Sequence, residues 1–282
     1  MKNILISTDF SKNAEQAFIY ALNIAQATKG KLFLANIHDI PTTFDYPHVY
    51  DFNKVESVIH KEVETNFKKL LKRYHAKERL ESDIEFCVME NRSVVKGINT
   101  LVTMHQIDLL VVGIKGASRA REILMGSTSK ALIKKSLCPV LLIPENASKP
   151  NFDSILFASD FQGKDIEALN QLIDLFAIYN PEITISHIGT KRESHPDQSF
   201  KSFKHWIQKN VDYEKLNFQP LLANDIYDRL NSYINDQKFN LLAIVEKEQD
   251  DFVSRLFHKD LIKKMDFHTT VPMLVLNEHY LH

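Results

Sequence analysis

Short apolar runs recur along the chain, separated by stretches with helical spacing. Ile4-Leu5-Ile6, Leu32-Phe33-Leu34-Ala35, Leu109-Leu110-Val111-Val112 and Val140-Leu141-Leu142-Ile143 are four to six residues long with their neighbours and lack strict alternation. That pattern predicts strands covered on both faces. Between them, residues 12–28 place Ala14, Ala17, Phe18, Ala21, Leu22, Ile24 and Ala25 on one helical stripe. Residues 53–73 and 92–105 have the same spacing. Alternating β and α segments predict a parallel sheet with right-handed crossovers.

The pattern then repeats. Asn3 to Phe10 returns as Ser154 to Phe161 at an offset of 151. Lys31 to His38 returns as Glu182 to His187, aligned on the closing histidines at 149. Ile107 to Val112 returns as Phe239 to Ile244 at 132, and Pro139 to Ile143 as Pro272 to Leu276 at 133. Phe86 and Phe218 already stand at 132, so the shortening falls between the second and third strands. There the first half carries a longer excursion, Asp39 to about Asp51, rich in Pro, Tyr and His, which reads as a loop or lid. The expected architecture is α/β: two tandem doubly wound domains, 1–146 and 151–282, each with a five-stranded parallel sheet. The expected boundary is polar Glu145 to Asn151, with prolines at 144 and 150.

Composition changes this picture little. A chain of 282 residues with 44% hydrophobic and 25% charged residues is globular. The net charge of −1 gives no global electrostatic case for nucleic acid or an anionic membrane. No apolar run approaches the roughly 18 residues of a membrane span, and no signal peptide is evident. The expectation is a soluble cytoplasmic protein. Cys87 and Cys138 sit in apolar runs and read as small core residues.

Glycine is the informative residue. Three of only seven, Gly113, Gly116 and Gly126, fall within fourteen positions, spaced G-x-x-G, nine residues, then G-S. The cluster begins at the end of an apolar run and closes before the helical segment Ser127 to Lys135. A strand end, a tight loop and a helix N-terminus are the parts of a phosphate cradle. In a doubly wound sheet, ligands bind at the carboxyl ends of strands where strand order reverses. Asp9 at the end of the first strand could accept hydrogen bonds from ribose hydroxyls or cap the helix beginning near Ser11. Gly113 and Gly116 would let the backbone fold over phosphates, and Gly126 would allow close approach. Ser127, Thr128 and Ser129 would add hydroxyls beside orphan helix amides. Lys115, Arg119 and Arg121 could pair with phosphates or form a solvated basic loop. Tyr46, His48 and Tyr50 could cover an adenine or pack as ordinary loop. His38 and His187 suggest one shared structural position, and Trp206 beside Phe203 reads as core or interface.

These motifs resemble the universal stress protein family over nearly the whole chain, as two tandem domains of the adenine nucleotide alpha hydrolase-like type. The resemblance implies an ATP site, or one for AMP or another adenylate, in the first half. It implies that Ser7, Thr8, Asp9 and Phe10 flank adenine and ribose, and that Ile37 meets the adenine edge. Val112, Gly113, Ile114 and Gly116 would line ribose and phosphate, and Gly126, Ser127, Thr128 and Ser129 would hold the phosphates. Mg²⁺ could accompany the nucleotide, with no protein ligand identifiable. A homodimer and a protein partner are expected, and no nucleic acid or membrane.

The second half departs from the motif. Val245, Glu248, Lys259 and Asp260 replace Gly113, Gly116, Gly126 and Ser127, while Asp160 matches Asp9. One site per chain is therefore expected, in a stress-response or regulatory protein. The alternatives are a nucleotide-independent interaction module, whose fifth strands pair edge to edge between the halves, and a slow ATPase.

Overall fold

The structure, a computed structural model, describes residues 1–39, 52–76, 84–115, 126–159, 164–189, 196–222, 226–246 and 271–281. Ten strands form one sheet: β1 (Asn3–Ser7), β2 (Lys31–His38), β3 (Ile84–Glu90), β4 (Leu109–Ile114), β5 (Val140–Pro144), β6 (Ser154–Ala158), β7 (Glu182–Gly189), β8 (Leu216–Leu222), β9 (Leu241–Glu246) and β10 (Met273–Asn277). Their spatial order is β3-β2-β1-β4-β5-β10-β9-β6-β7-β8. Every pairing is parallel except β5 with β10. Five strands from each half thus meet at a single antiparallel seam, with Leu142, Leu141 and Val140 opposite Met273, Leu274 and Val275. The expected α/β class and the edge-to-edge pairing of the fifth strands both appear.

Seven α-helices are described: α1 (Lys12–Thr28), α2 (Phe52–Arg73), α3 (Val94–Met104), α4 (Ser127–Lys135), α5 (Asp165–Phe176), α6 (Pro196–Asn210) and α7 (Ile226–Gln237). They divide by face. Phe18 and Leu22 of α1, Phe67 of α2, Leu169 of α5 and Phe203 of α6 join one core, on the side of Ile4, Ile6 and Leu34. Ile98 of α3, Leu132 of α4 and Ile234 of α7 join the other, with Leu5, Phe33 and Leu110. Sheet residues of both parities are buried, which explains the missing alternation.

Helix boundaries follow local chemistry. Ser11 caps α1, its hydroxyl accepting from the Ala14 amide at 3.4 Å. The helix ends where Lys29 turns left-handed (φ 52°). Ser93 caps α3 in the same way, so that helix is shorter than the 92–105 expected. The segment between the halves is docked rather than loose. The Ala147 carbonyl accepts from Gln16 Nε2 and the Ser148 carbonyl from the Tyr20 hydroxyl, each at 2.9 Å. Phe152 is fully buried against Tyr20 and Phe176.

The repeat extends to individual hydrogen bonds. Asp108 N donates to Asn3 O, as Asn240 N donates to Ser154 O. Leu110 N donates to Pro139 O, as Leu242 N donates to Pro272 O. One expectation is corrected by this register. Asn36 Nδ2 donates to the Thr8 carbonyl at 2.9 Å, and His187 Nδ1 donates to the Ser159 carbonyl at the same distance. Thr8 and Ser159, and Asn36 and His187, are each 151 apart, so His187 corresponds to Asn36 and not to His38. Trp206 is half-exposed, while Phe203 beside it is buried.

Candidate functional site

The strand order reverses between β1 and β4, whose carboxyl ends lie side by side with Ser7 opposite Val112. Parallel strands require the intervening helices to run back against them. The N-termini of α1 and α4 therefore lie at this same end of the sheet. Sequence-expected residues from β1 and β4 are thus brought together at the switch point.

The turn leaving β1 is held by its own side chains. Thr8 N donates to Ala35 O at 2.9 Å, and the buried Thr8 hydroxyl accepts from the Phe10 amide at 3.0 Å. Asp9 is exposed, and its Oδ1 accepts from the Ser11 amide at 3.0 Å. This is an Asx turn. The helix cap is Ser11 and not Asp9, which corrects that alternative. Phe10 sits in the left-handed region at φ 60°, with its ring 5.3 Å from that of Phe67. A bulky residue there is an outlier, with strain of about 1–2 kcal/mol. Nothing in the sequence marked it.

Two of the glycines have different reasons, and neither has positive φ. A β-carbon on Gly113 would stand 2.2 Å from the Asn13 carbonyl oxygen and 2.8 Å from the Ala14 amide nitrogen. Gly113 is glycine because the first turn of α1 lies directly on β4. Packing against α1 is by itself a sufficient reason for glycine at 113. Gly126 is different. It is exposed, extended (φ −61°, ψ 157°), and caps α4 without a side chain. A β-carbon there would meet no described atom within 4 Å. Packing among the described residues does not require glycine at this position. Beyond it, the first intrahelical bond is Lys130 N to Gly126 O at 3.1 Å, so the Ser127, Thr128 and Ser129 amides precede the ladder. Ser127 and Thr128 are exposed, and Ser129 is buried.

Val112 and Ile114 are buried, and Lys115 is exposed. Ile37 is half-buried, packed against the second core near Gly97. His38 lies beyond it on β2. Burial, and next the neighbouring His60, push its pKa down. Gly116, Arg119, Arg121, Tyr46, His48 and Tyr50 lie outside the described residues, as do Asp160, Glu248, Lys259 and Asp260 of the second half.

The corresponding end of the second half is built otherwise. Val245 fills the Gly113 position and is buried. Asp165 and Glu246 are buried carboxylic residues, and Asp165 accepts from the Ser159 hydroxyl at 2.5 Å. Lys164 Nζ donates to the Leu281 carbonyl at 3.0 Å.

The universal stress protein family model matches residues 1–144, half of the chain and all of the strands and helices just described for the first half. The chain belongs to the universal stress protein family. A universal stress protein of Staphylococcus aureus strain USA300 is 30% identical over 146 residues, covering 50% of this chain and 83% of its own. Among solved structures, a universal stress protein from Archaeoglobus fulgidus has a TM-score of 0.71 at 16% identity, covering 98% of both chains. A universal stress protein from Pseudomonas aeruginosa has a TM-score of 0.58 at 12% identity, covering 98% of this chain and 93% of its own. At these identities the structural likeness concerns the fold. For this universal stress protein family member it extends over both halves of the sheet.

Proposed function

We propose that the chain is an adenine-nucleotide-binding regulatory protein with a single site, at the β1–β4 switch point of the first half. The preferred ligand is ATP, with AMP and other adenylates as the alternatives. Asp9 takes the ribose side. Gly126 and the amides and hydroxyls of Ser127, Thr128 and Ser129 take the phosphates, with Gly116 and Lys115 on the same loop. Ser7, Thr8, Phe10, Ile37, Val112, Gly113 and Ile114 form the frame. The reading divides the chain into two units, 1–146 and 151–282, the second lacking the cradle.

The observation that carries this reading is Gly126. It is a glycine that neither the backbone angle nor packing among the described residues requires, at the exposed N-terminus of a helix, at the end of the sheet where ligands of doubly wound folds bind. A ligand approaching that backbone supplies the missing reason. A helix N-terminus contributes only about 0.3–1 kcal/mol to an exposed anion, so several donors must act together. The buried Val245 in the Gly113 position, with Lys259 and Asp260 standing for Gly126 and Ser127, supports restricting the site to the first half.

The test is calorimetry with ATP and AMP on the wild type and on Gly126→Lys, which reproduces the residue of the second half. Because a β-carbon at 126 meets no described atom within 4 Å, the variant should fold normally and lose at least about tenfold in affinity, the equivalent of about 1.4 kcal/mol. An unbound wild type, or undiminished binding by a folded variant, would reject the proposal. A Gly113→Val control is unsuitable for this purpose, since it disturbs α1 packing directly.

A further inference from the structure

At the opposite end of the same half, three side chains of metal-ligating type converge, apart from the nucleotide site. Glu85 and Cys87 are two residues apart on β3, an edge strand, and so project from the same face. His105 ends α3, the helix covering that face. Cys87 Sγ lies 3.9 Å from His105 Nε2, and Glu85 Oε1 lies 3.8 Å from His105 Nδ1. With one ligand atom taken from each residue, all three fall within 4.8 Å of one another.

We infer that Glu85, Cys87 and His105 form a binding site for a zinc-class divalent cation. Around a tetrahedral zinc, bonds of about 2.0–2.3 Å place ligand atoms roughly 3.4–3.8 Å apart. The sulfur–nitrogen separation is already close to that, and the carboxylate needs a small side-chain rotation. The imidazole gives the ion one of its two nitrogens. Three protein ligands leave a fourth position for water. Thiolate and imidazole donors select zinc-class ions over Mg²⁺, which takes oxygen ligands, so this ion is distinct from any that accompanies a nucleotide.

The surroundings suit such a site. The Phe33 ring packs against His105, tilted by 41° with centroids 4.6 Å apart, and restricts the imidazole. Lys31 Nζ holds Glu85 Oε2 at 2.6 Å, which leaves Oε1 on the histidine side. Cys87 is buried, while the carboxylate is more open, with 39% of its side chain exposed, so an ion can enter from the Glu85 side. Binding converts the Cys87 thiol to thiolate and releases its proton to solvent.

Cobalt(II) added to the reduced, untagged, chelator-treated full chain provides the test. One equivalent per chain should produce a thiolate-to-cobalt charge-transfer band in the near ultraviolet, displaced by zinc. The band should disappear in Cys87→Ser, persist in Cys138→Ala, and require at least about tenfold more cobalt in Glu85→Gln and His105→Ala. Glu85 is partly exposed, so Glu85→Gln reports on ligation even if a core variant folds poorly. Absence of a thiolate band in the wild type would overturn the assignment. So would a band that survives Cys87→Ser, or one unmoved by both Glu85→Gln and His105→Ala.

Discussion

Gly113 and Gly126 stand thirteen residues apart in one motif, yet substitution should affect them in opposite ways. At Gly113 any side chain collides with the backbone of α1 at 2.2 Å, and the helix must move. Gly113→Val should therefore destabilise by about 1–3 kcal/mol or more, as overpacking does, and lower the thermal midpoint. A variant melting with the wild type would remove the packing argument. Gly126→Lys should leave the midpoint unchanged. From the sequence alone both glycines looked like parts of one cradle. Spacing reveals that glycine is needed, but not whether the object pressing on it is a ligand or the protein's own helix.

A second prediction at this scale concerns Glu15, in the first turn of α1. Burial opposes its ionisation, but the Arg73 guanidinium and the Tyr74 hydroxyl together outweigh that and hold its pKa below the ordinary 4.5. A lowered carboxyl pKa stabilises the fold above the ordinary value, and this is lost as pH falls through the lowered one. The stability difference between wild type and Glu15→Gln, measured by urea unfolding, should be full at neutral pH and shrink below about pH 4.5. A difference constant with pH would contradict the pairing. Phe10 shows the limit of reading such detail from sequence. Its left-handed backbone comes from the tight turn between β1 and α1, not from any preference of phenylalanine.

Among elements, α4 links the halves. Its N-terminus presents the proposed phosphate donors. Near its other end, the Ile133 carbonyl accepts from Asn277 Nδ2 of β10 at 2.9 Å, with Asn277 buried. Asn277→Ala leaves that carbonyl without this donor and should cost about 1–3 kcal/mol in chemical denaturation. A loss below 0.5 kcal/mol would mean that the bond does not hold the helix. Most elements were legible in the sequence, because apolar runs and helical stripes are direct consequences of burial in a doubly covered sheet. Register was less so. Matching His38 to His187 relied on side-chain identity, whereas the strand registers make Asn36 the counterpart of His187, because backbone hydrogen bonds fix the offset. The Asn277 bond joins positions 144 residues apart and has no local signal.

At the scale of the whole molecule, the two halves complete each other's sheet. β5 and β10 each have a partner on both sides, so neither fifth-strand edge remains for pairing with a second copy. A homodimer of this chain would have to use another surface. Leu141 and Leu274 face each other across the seam and are fully buried. Each change to alanine should cost about 2–5 kcal/mol. The double variant should depart from additivity by about 0.5–3 kcal/mol, as contacting residues do. Strict additivity would argue against the seam. The paired arrangement was readable in advance from the two fifth-strand runs together with the family resemblance, which implies that such strands pair edge to edge. What the repeat could not reveal was how the second half fills its own switch point. The burial of Val245, Asp165 and Glu246 depends on packing that the glycine pattern does not encode.

The proposed function places one adenylate site in a chain that carries its scaffold twice. Isothermal titration of the full chain with ATP tests it most directly, because stoichiometry separates the two halves. One molecule should bind per chain in the wild type, and at least about tenfold more weakly in folded Gly126→Lys. Two molecules per chain, or one that persists undiminished in the variant, would contradict it.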